Sequence, residues 1–321
     1  MCGVTKSTTF RHSAGKPGSG KSTLMKYLYD NPRTWRHLNV WSGGQHLTTA
    51  GFFFWNSGTE MQMSGMGLLQ TLLFDGLRHH QGLTSVIFPE RWQVYELFGE
   101  DLHPWTWSEL WQGFKLFVSE AIKAGKLFFF IDGLDEFNGE HPELIDLLKD
   151  VSVHPNVKMC LSSRPWLVFE DAFGQGPSLT LQDLTYPDIN IFVKGRLYEN
   201  ARFCLLKSRE PKNATQLITE ITEKSAGVFL WIHLVVKSLL QGLANSDRMS
   251  DLTRRIELMP DDLDGLYQKI LKSLNQFYFE HASQLFQVVR QASEPLSVLE
   301  LSFADEEDPQ TAILAEIKSL S

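Results

Sequence analysis

The stretch GKPGSGKST, at residues 15–23, is the strongest indication of a fold class in this chain of 321 residues. It completes the pattern G-x-x-x-x-G-K-[ST] without a gap. Glycines let backbone N–H groups turn inward around a phosphate, and a following helix directs its positive dipole end at the same anion. The stretch therefore predicts a phosphate-binding loop. The residues expected to contact nucleotide phosphates are Gly15, Lys16, Pro17, Gly18, Ser19, Gly20, Lys21, Ser22 and Thr23.

Two side chains of this loop have specific chemical roles in the prediction. Lys21 places a positive charge on the β- and γ-phosphate oxygens, and the hydroxyl of Ser22 ligates Mg²⁺. The apolar residues Leu24, Met25 and Leu28 follow at helical spacing and predict the helix. The alternative interpretation is a glycine-rich turn that caps an ordinary helix.

A second motif is KLFFFIDGLDEF, residues 126–137. Its continuous apolar run predicts a central parallel strand that is buried on both faces. Asp132 ends this run, where a carboxylate can hold Mg²⁺ through a water. Glu136, with Asp135 as a second candidate, is expected to polarise the attacking water as general base. The alternative is an acidic turn after a core strand, which is common.

A third stretch, NVKMCLSSRPW at residues 156–166, predicts another short buried strand of the same sheet. Arg164 follows the carboxyl end of that strand. From there its guanidinium can reach a γ-phosphate and report the presence of the triphosphate. The alternative role is that of an arginine in a surface salt bridge.

Taken together, these stretches resemble fungal NACHT-domain proteins, which belong to the signal-transducing (STAND) P-loop ATPases together with NLR immune receptors and heterokaryon-incompatibility proteins. The resemblance implies a switch that is ADP-bound and closed at rest, and ATP-bound and self-associating when triggered, with slow hydrolysis and Mg²⁺. It also implies effector and repeat domains in a longer receptor. The matching stretches are GKPGSGKSTLMKYL, GFFFWNSGT, GLLQTLLFDGL, FFFIDGLDEF, VKMCLSSRPWLVFEDAFG, LQDLT and GVFLWIHLVVKSLLQGL.

Two departures from the family pattern stand out. Family members carry a hydrophobic strand directly before the loop, whereas residues 5–14 here read TKSTTFRHSA, which is poor filling for a buried strand. Met63 stands where relatives tend to carry a lysine. We therefore expect an intact loop that the preceding strand stabilises only weakly, and a chain that is a fragment of a longer receptor.

The order of patterns predicts three regions. Residues 1–182 alternate strand-like and helical patterns and predict a three-layer α/β P-loop NTPase domain with a parallel sheet. Residues 183–262 read as a helical domain, with Thr185 as the expected N-cap of its first helix. Residues 263–321 resemble a partial, truncated winged-helix region. A capping box is also predicted from Thr106 to Glu109.

Composition limits the classes of function. With 43% hydrophobic and 21% charged residues, the chain is typical of a globular protein, and a formal net charge of −8 argues against a broad nucleic-acid-binding surface. The most apolar helical pattern contains His233 and Lys237, which favours a buried helix over a membrane span. The cysteines lack metal-like or paired spacing, which favours a reducing, cytoplasmic setting. They are Cys2, Cys160 and Cys204.

Three functions stay open at this level. The first is the slow ATP-hydrolysing switch, in which Lys21, Asp135, Glu136 and Arg164 carry the chemistry. The second is a small-molecule kinase, although the sequence shows no recognisable acceptor pocket or basic lid. The third is a non-catalytic interaction module of a truncated receptor. No N-K-x-D motif for guanine is present, which favours ATP, and GTP stays open.

Overall fold

The computed structural model describes residues 10–99, 103–174, 176–272, 276–292 and 296–304. The expectations for Cys2, for the residues before Phe10 and for the last part of the winged-helix region lie outside this set. The chain divides into two compact units, formed by residues 1–56 with 60–259 and by residues 57–59 with 260–321.

A five-stranded parallel sheet forms the centre of the first unit, in the order β2-β3-β4-β1-β5. Because β4 lies between β1 and β3, the carboxyl ends of these three strands are neighbours at one edge. That edge is where open parallel sheets bind their ligands. The strands are β1 Phe10–Ala14, β2 His46–Phe53, β3 Gly125–Asp132, β4 Val157–Ser163 and β5 Ser178–Thr180.

Helices cover the sheet and continue beyond it as an all-helical region. The helices of the first unit are α1 Lys21–Asp30, α2 Pro32–Ser42, α3 Glu60–Met63, α4 Gly65–Arg78, α5 Thr84–Ile87, α6 Pro89–Phe98, α7 Trp107–Ala124, α8 His141–Ser152, α9 Leu167–Phe173, α10 Leu181–Tyr198, α11 Ala201–Arg209, α12 Pro211–Lys224, α13 Phe229–Ala244 and α14 Met249–Glu257. The second unit contains α15 Leu263–Lys272, α16 Gln276–Gln291 and α17 Val298–Ala304.

Strand β3 shows how the three layers form. Its alternate side chains Leu127, Phe129 and Ile131 join the main core with helices α4, α7, α8 and α9. Phe128 and Phe130 pack on the opposite face with α1 and α2. A strand that is apolar at every position must be covered on both sides, since each buried phenylalanine contributes about 1.5–3 kcal/mol. The predicted three-layer α/β fold is confirmed.

Helix α7 confirms the predicted capping box. The hydroxyl oxygen of Thr106 accepts a hydrogen bond from the backbone N–H of Glu109 at 3.3 Å, and Glu109 accepts one from the backbone N–H of Thr106 at 3.0 Å. The apolar face of this helix is buried against the sheet. Its members are Leu110, Phe114, Phe117 and Ala121.

Strand β1 forms in spite of its polar composition. It pairs with β4 from Phe10↔Met159 to Ala14↔Ser163, and with β5 on its other side. Backbone ladders on both edges supply stability that side chains of this kind do not. The polar filling has a cost, because the buried Ser13 hydroxyl has no hydrogen-bond partner among the described residues.

The start of the helical region differs from the prediction. Helix α10 begins at Leu181, directly after β5, and the expected N-cap Thr185 lies inside it, so that prediction was wrong. The Thr185 hydroxyl instead donates to the carbonyl oxygen of Gly227 at 3.3 Å. Pro187 lies within the helix, where it removes one backbone donor without ending the helix.

Helix α13 carries the most apolar pattern of the chain. Its Trp231, Ile232, Val235 and Leu239 are almost fully buried in the helical region. Among the described residues, no helix combines the length and the apolar character that crossing a bilayer requires.

Substitution of Gly67 tests the packing behind the sheet. An added Cβ at Gly67 would lie 1.7 Å from the backbone oxygen of Met61, and a backbone atom cannot swing away. We expect Gly67→Ala to lower the free energy of unfolding by about 2–3 kcal/mol, measured by urea denaturation. Gly82→Ala is the control, because nothing lies within 4 Å of its added Cβ. A loss at Gly67 no larger than that of the control would contradict this packing.

Candidate phosphate-binding site

The glycine-rich loop connects β1 to α1, as the pattern predicts. Gly18 and Gly20 have φ angles of 70° and 93°, in the left-handed region that glycine adopts without strain. An added Cβ at Gly15 would lie 2.6 Å from the Ser19 hydroxyl oxygen. The loop therefore requires glycine at these positions for conformation or for space.

Lys21, the first residue of α1, turns back over the loop. Its ammonium nitrogen donates to the carbonyl oxygens of Gly15 at 2.8 Å and of Lys16 at 3.2 Å. The hydroxyl of Ser19 is buried and has no hydrogen-bond partner among the described residues. Donor groups of this kind around a glycine cradle fit the phosphate groups of a nucleotide.

The charges around Lys21 show that the predicted site residues meet in space. Burial lowers the pKa of Lys21, and the neighbouring carboxylate of Asp135 opposes that effect most strongly. Arg164 lowers the same pKa by charge repulsion, while Asp132 and Glu136 raise it. Residues from the ends of β3 and β4 are thus close enough to act on the loop lysine.

Asp132 is the buried acid of the site and is only 1% exposed. Burial raises its pKa, while hydrogen bonds from Ser162 and Ser22 favour the carboxylate. The Ser162 hydroxyl also accepts from the backbone N–H of Gly133 at 3.2 Å. Asp132 and Ser22, the predicted ligands of Mg²⁺, are therefore in contact, and a carboxylate with a hydroxyl fits that cation.

Asp135 and Arg164 form an ion pair beside the loop. The backbone N–H of Arg164 donates to one oxygen of Asp135 at 2.7 Å, and its guanidinium Nε lies 3.0 Å from the other. The side chain of Asp135 is 3% exposed and that of Arg164 is 38% exposed. The arginine is thus held at the edge of the site by an acid that sequence reasoning had assigned to water activation.

Glu136 lies at the end of a 3₁₀ turn after β3. Its carboxylate accepts a hydrogen bond from the backbone N–H of Asn56 at 2.9 Å, just after β2. Sequence reasoning did not identify Asn56, because a backbone donor leaves no residue-type signal. The contact fixes the direction of the Glu136 side chain.

The helical region contacts the loop directly. The backbone N–H of Leu230, in the first turn of α13, donates to the carbonyl oxygen of Gly18 at 3.2 Å. Leu181, at the start of α10, is also close, since its Cβ would lie 3.4 Å from a Cβ at Gly15. Conformations of the loop and of these two helix starts are therefore linked.

The strand, the glycine loop, the helix and the acidic strand end together define a P-loop NTPase-like fold. A family model described as "Nephrocystin 3, N-terminal" matches residues 5–164, which is just under half of the 321 residues and includes all the predicted site residues. Comparison with curated proteins gives no match.

Two solved structures are similar at low identity. One is the Drosophila ORC bound to DNA, with 10% identity, a TM-score of 0.41 and coverage of 98% of this chain and 73% of that chain. The other is C. elegans PCH-2, with 11% identity, a TM-score of 0.31 and coverage of 83% and 63%. At these scores, neither likeness indicates a substrate or partner for this chain.

Proposed function

We propose that this protein is a nucleotide-dependent switch of the NACHT class of STAND NTPases, which binds ATP and ADP with Mg²⁺ and hydrolyses ATP slowly. One observation carries the proposal. The loop that fits a nucleotide phosphate accepts, through its Gly18 carbonyl oxygen, a hydrogen bond from the backbone N–H of Leu230 in the helical region. A change of phosphate occupancy is thereby transmitted to helices outside the sheet, as a switch requires.

The proposed roles follow from the positions of the side chains. Lys21 leaves its loop carbonyls to bind phosphate oxygens, and Ser22 with Asp132 holds Mg²⁺. Glu136 orients the attacking water from its bond to the Asn56 N–H. When Mg²⁺ is bound, it supplies neutralisation of phosphate charge.

Arg164 is proposed as the sensor of the terminal phosphate, and Asp135 holds it in place when that phosphate is absent. The ion pair leaves the arginine about one third exposed at the site edge, where a phosphate can compete for it. Exchange of one anionic partner for another gives the site two states that differ by the terminal phosphate.

The finer assignments rest on the resemblance of the sequence motifs. They include a role in fungal NLR-like immunity or incompatibility, self-association of the NTPase domain when it is activated, and partial winged-helix character of residues 263–321. The proposed cytoplasmic location rests on the spacing of the cysteines, and the preference for ATP over GTP rests on the lack of an N-K-x-D motif.

Loss of the loop lysine tests the proposed nucleotide binding. We expect Lys21→Ala to weaken binding of fluorescent ADP and ATP with Mg²⁺ by about 30-fold or more, since charged hydrogen bonds to phosphate contribute about 1.5–3 kcal/mol each. Lys26→Ala is the matched control, because Lys26 is an exposed lysine of the same helix α1. Equal affinities of the two variants would contradict the assignment.

A folded protein that binds neither nucleotide would favour the non-catalytic interaction module. The observation that favours this second candidate is that the loop already bonds to itself through Lys21. A change of oligomeric state between ADP and a slowly hydrolysed ATP analogue, measured by light scattering, separates the switch from the module.

A further inference from the structure

His12 is buried at the centre of the polar strand that precedes the loop. It is 3% exposed, and its ring lies 5.7 Å from that of Phe173 between ring centroids. Its strand neighbours are Leu161 in β4 and Ser178 in β5. A polar ring at such a position requires a hydrogen-bond partner.

The partner is Ser163, the last residue of β4. The distance between His12 Nε2 and Ser163 Oγ is 2.8 Å. The same hydroxyl donates to the carbonyl oxygen of Arg164 at 2.7 Å. Because a hydroxyl has one proton, Ser163 must accept from the imidazole, so the hydrogen of neutral His12 is on Nε2.

This contact continues into the site on the next residue. The backbone N–H and the guanidinium of Arg164 both bind Asp135. The backbone of Arg164 is therefore held on both of its sides. Asp135 accepts from the N–H of the peptide unit before Arg164, and the Ser163 hydroxyl, which His12 fixes, donates to the carbonyl oxygen of the peptide unit after it.

We propose that His12 is a positioning residue that, as the Nε2–H tautomer, fixes the carboxyl end of β4 and so sets the preference of the site for nucleoside triphosphate over diphosphate. The inference rests on the proposed function, in which Arg164 exchanges Asp135 for the terminal phosphate. The adjacent Ser162 serves the other face of the sheet, where it binds Asp132. Two consecutive serines thus connect one strand end to β1 and to β3.

Two conservative variants separate positioning from space filling. The amide nitrogen of glutamine can take the place of Nε2, whereas asparagine is shorter and its amide nitrogen lies near the place of Nδ1. We expect His12→Gln to keep the ratio of affinities for a slowly hydrolysed ATP analogue and for ADP within about twofold. His12→Asn and His12→Leu should reduce that ratio about fivefold, the worth of one net hydrogen bond.

The same variants are compared by NMR in the absence of nucleotide. This measurement tests the positioning contact of His12 whether or not the protein binds nucleotide. For His12 we expect the ring ¹⁵N chemical shifts of the Nε2–H tautomer. The Arg164 amide signal should keep its position in His12→Gln and move in His12→Asn. An Nδ1–H tautomer, or an unmoved Arg164 amide in the folded His12→Asn protein, would overturn the inference. Wild-type protein that binds no nucleotide would overturn the proposed triphosphate preference, and the NMR comparison would still decide the positioning contact.

Discussion

Glu136→Gln is expected to lower the rate of ATP hydrolysis by about 10²–10³-fold, within the range that a positioned general base contributes, while nucleotide affinity changes by less than about twofold. Glutamine keeps the shape of the side chain and can still accept the hydrogen bond from the Asn56 N–H, which is 2.9 Å long in the wild type. It cannot accept a proton from water. The substitution therefore removes the chemistry and keeps the geometry.

The measurement is phosphate release in single turnover with saturating protein and Mg²⁺. Glu140→Gln is the matched control, because Glu140 is exposed, lies four residues further on and loses the same charge. A general electrostatic effect would slow both variants alike. If Glu136→Gln hydrolyses ATP at the wild-type rate, the base lies elsewhere, and Asp135→Asn becomes the next variant to measure.

The parts of the site that the sequence predicted correctly are those that depend on local pattern. An apolar run such as residues 127–131 indicates a strand that is covered on both faces, and a parallel sheet brings the ends of such strands to one edge. Asp132 directly follows its apolar run and Arg164 directly follows strand β4, so the pattern places both at that edge. The glycine loop is likewise local, since its spacing and its backbone conformation concern the same few residues.

The parts that the sequence left out are contacts between distant segments. Glu136 binds a backbone N–H at Asn56, and the helical region reaches the loop through the backbone of Leu230. Backbone donors carry no residue-type signal, so no motif could indicate either contact. The start of α10 was misplaced for a related reason, because the short strand β5 fixes where the helix begins.

Strand β1 shows a different limit of sequence reasoning. Its mostly polar residues are unfavourable in a buried strand, and the continuous apolar run that normally indicates one is missing. Pairing with β4 and β5 places it in the sheet all the same, and the His12–Ser163 hydrogen bond satisfies one of its polar groups. The unusual composition was visible in the sequence, but its consequence depended on a partner about 150 residues away.

That unusual composition leads to the second large effect, on stability at low pH. Burial lowers the pKa of His12 to about 4, whereas in the unfolded chain histidine has its ordinary pKa of 6.5. Above pH 6.5 both states are neutral and the group has no effect on stability. As the pH falls from 6.5 to 4, His12 takes up a proton in the unfolded state but stays neutral in the folded state, so the folded state loses stability. Between pH 7 and pH 4.5 this amounts to roughly 2.5 kcal/mol.

The variant His12→Leu removes the titrating group and fills a similar volume. The free energy of unfolding of each protein is measured by urea denaturation at pH 7 and at pH 4.5. We expect its decrease between these pH values to be roughly 2.5 kcal/mol smaller in the variant than in the wild type. The lost bond to Ser163 lowers the stability of the variant at both pH values and cancels in the comparison. The raised pKa of Asp132 acts in the opposite direction, adding stability as the pH falls, and it cancels too because both proteins contain that acid. Equal pH dependence of the two proteins would mean that His12 takes up a proton as readily in the folded state as in the unfolded state, and would contradict the burial of its ring.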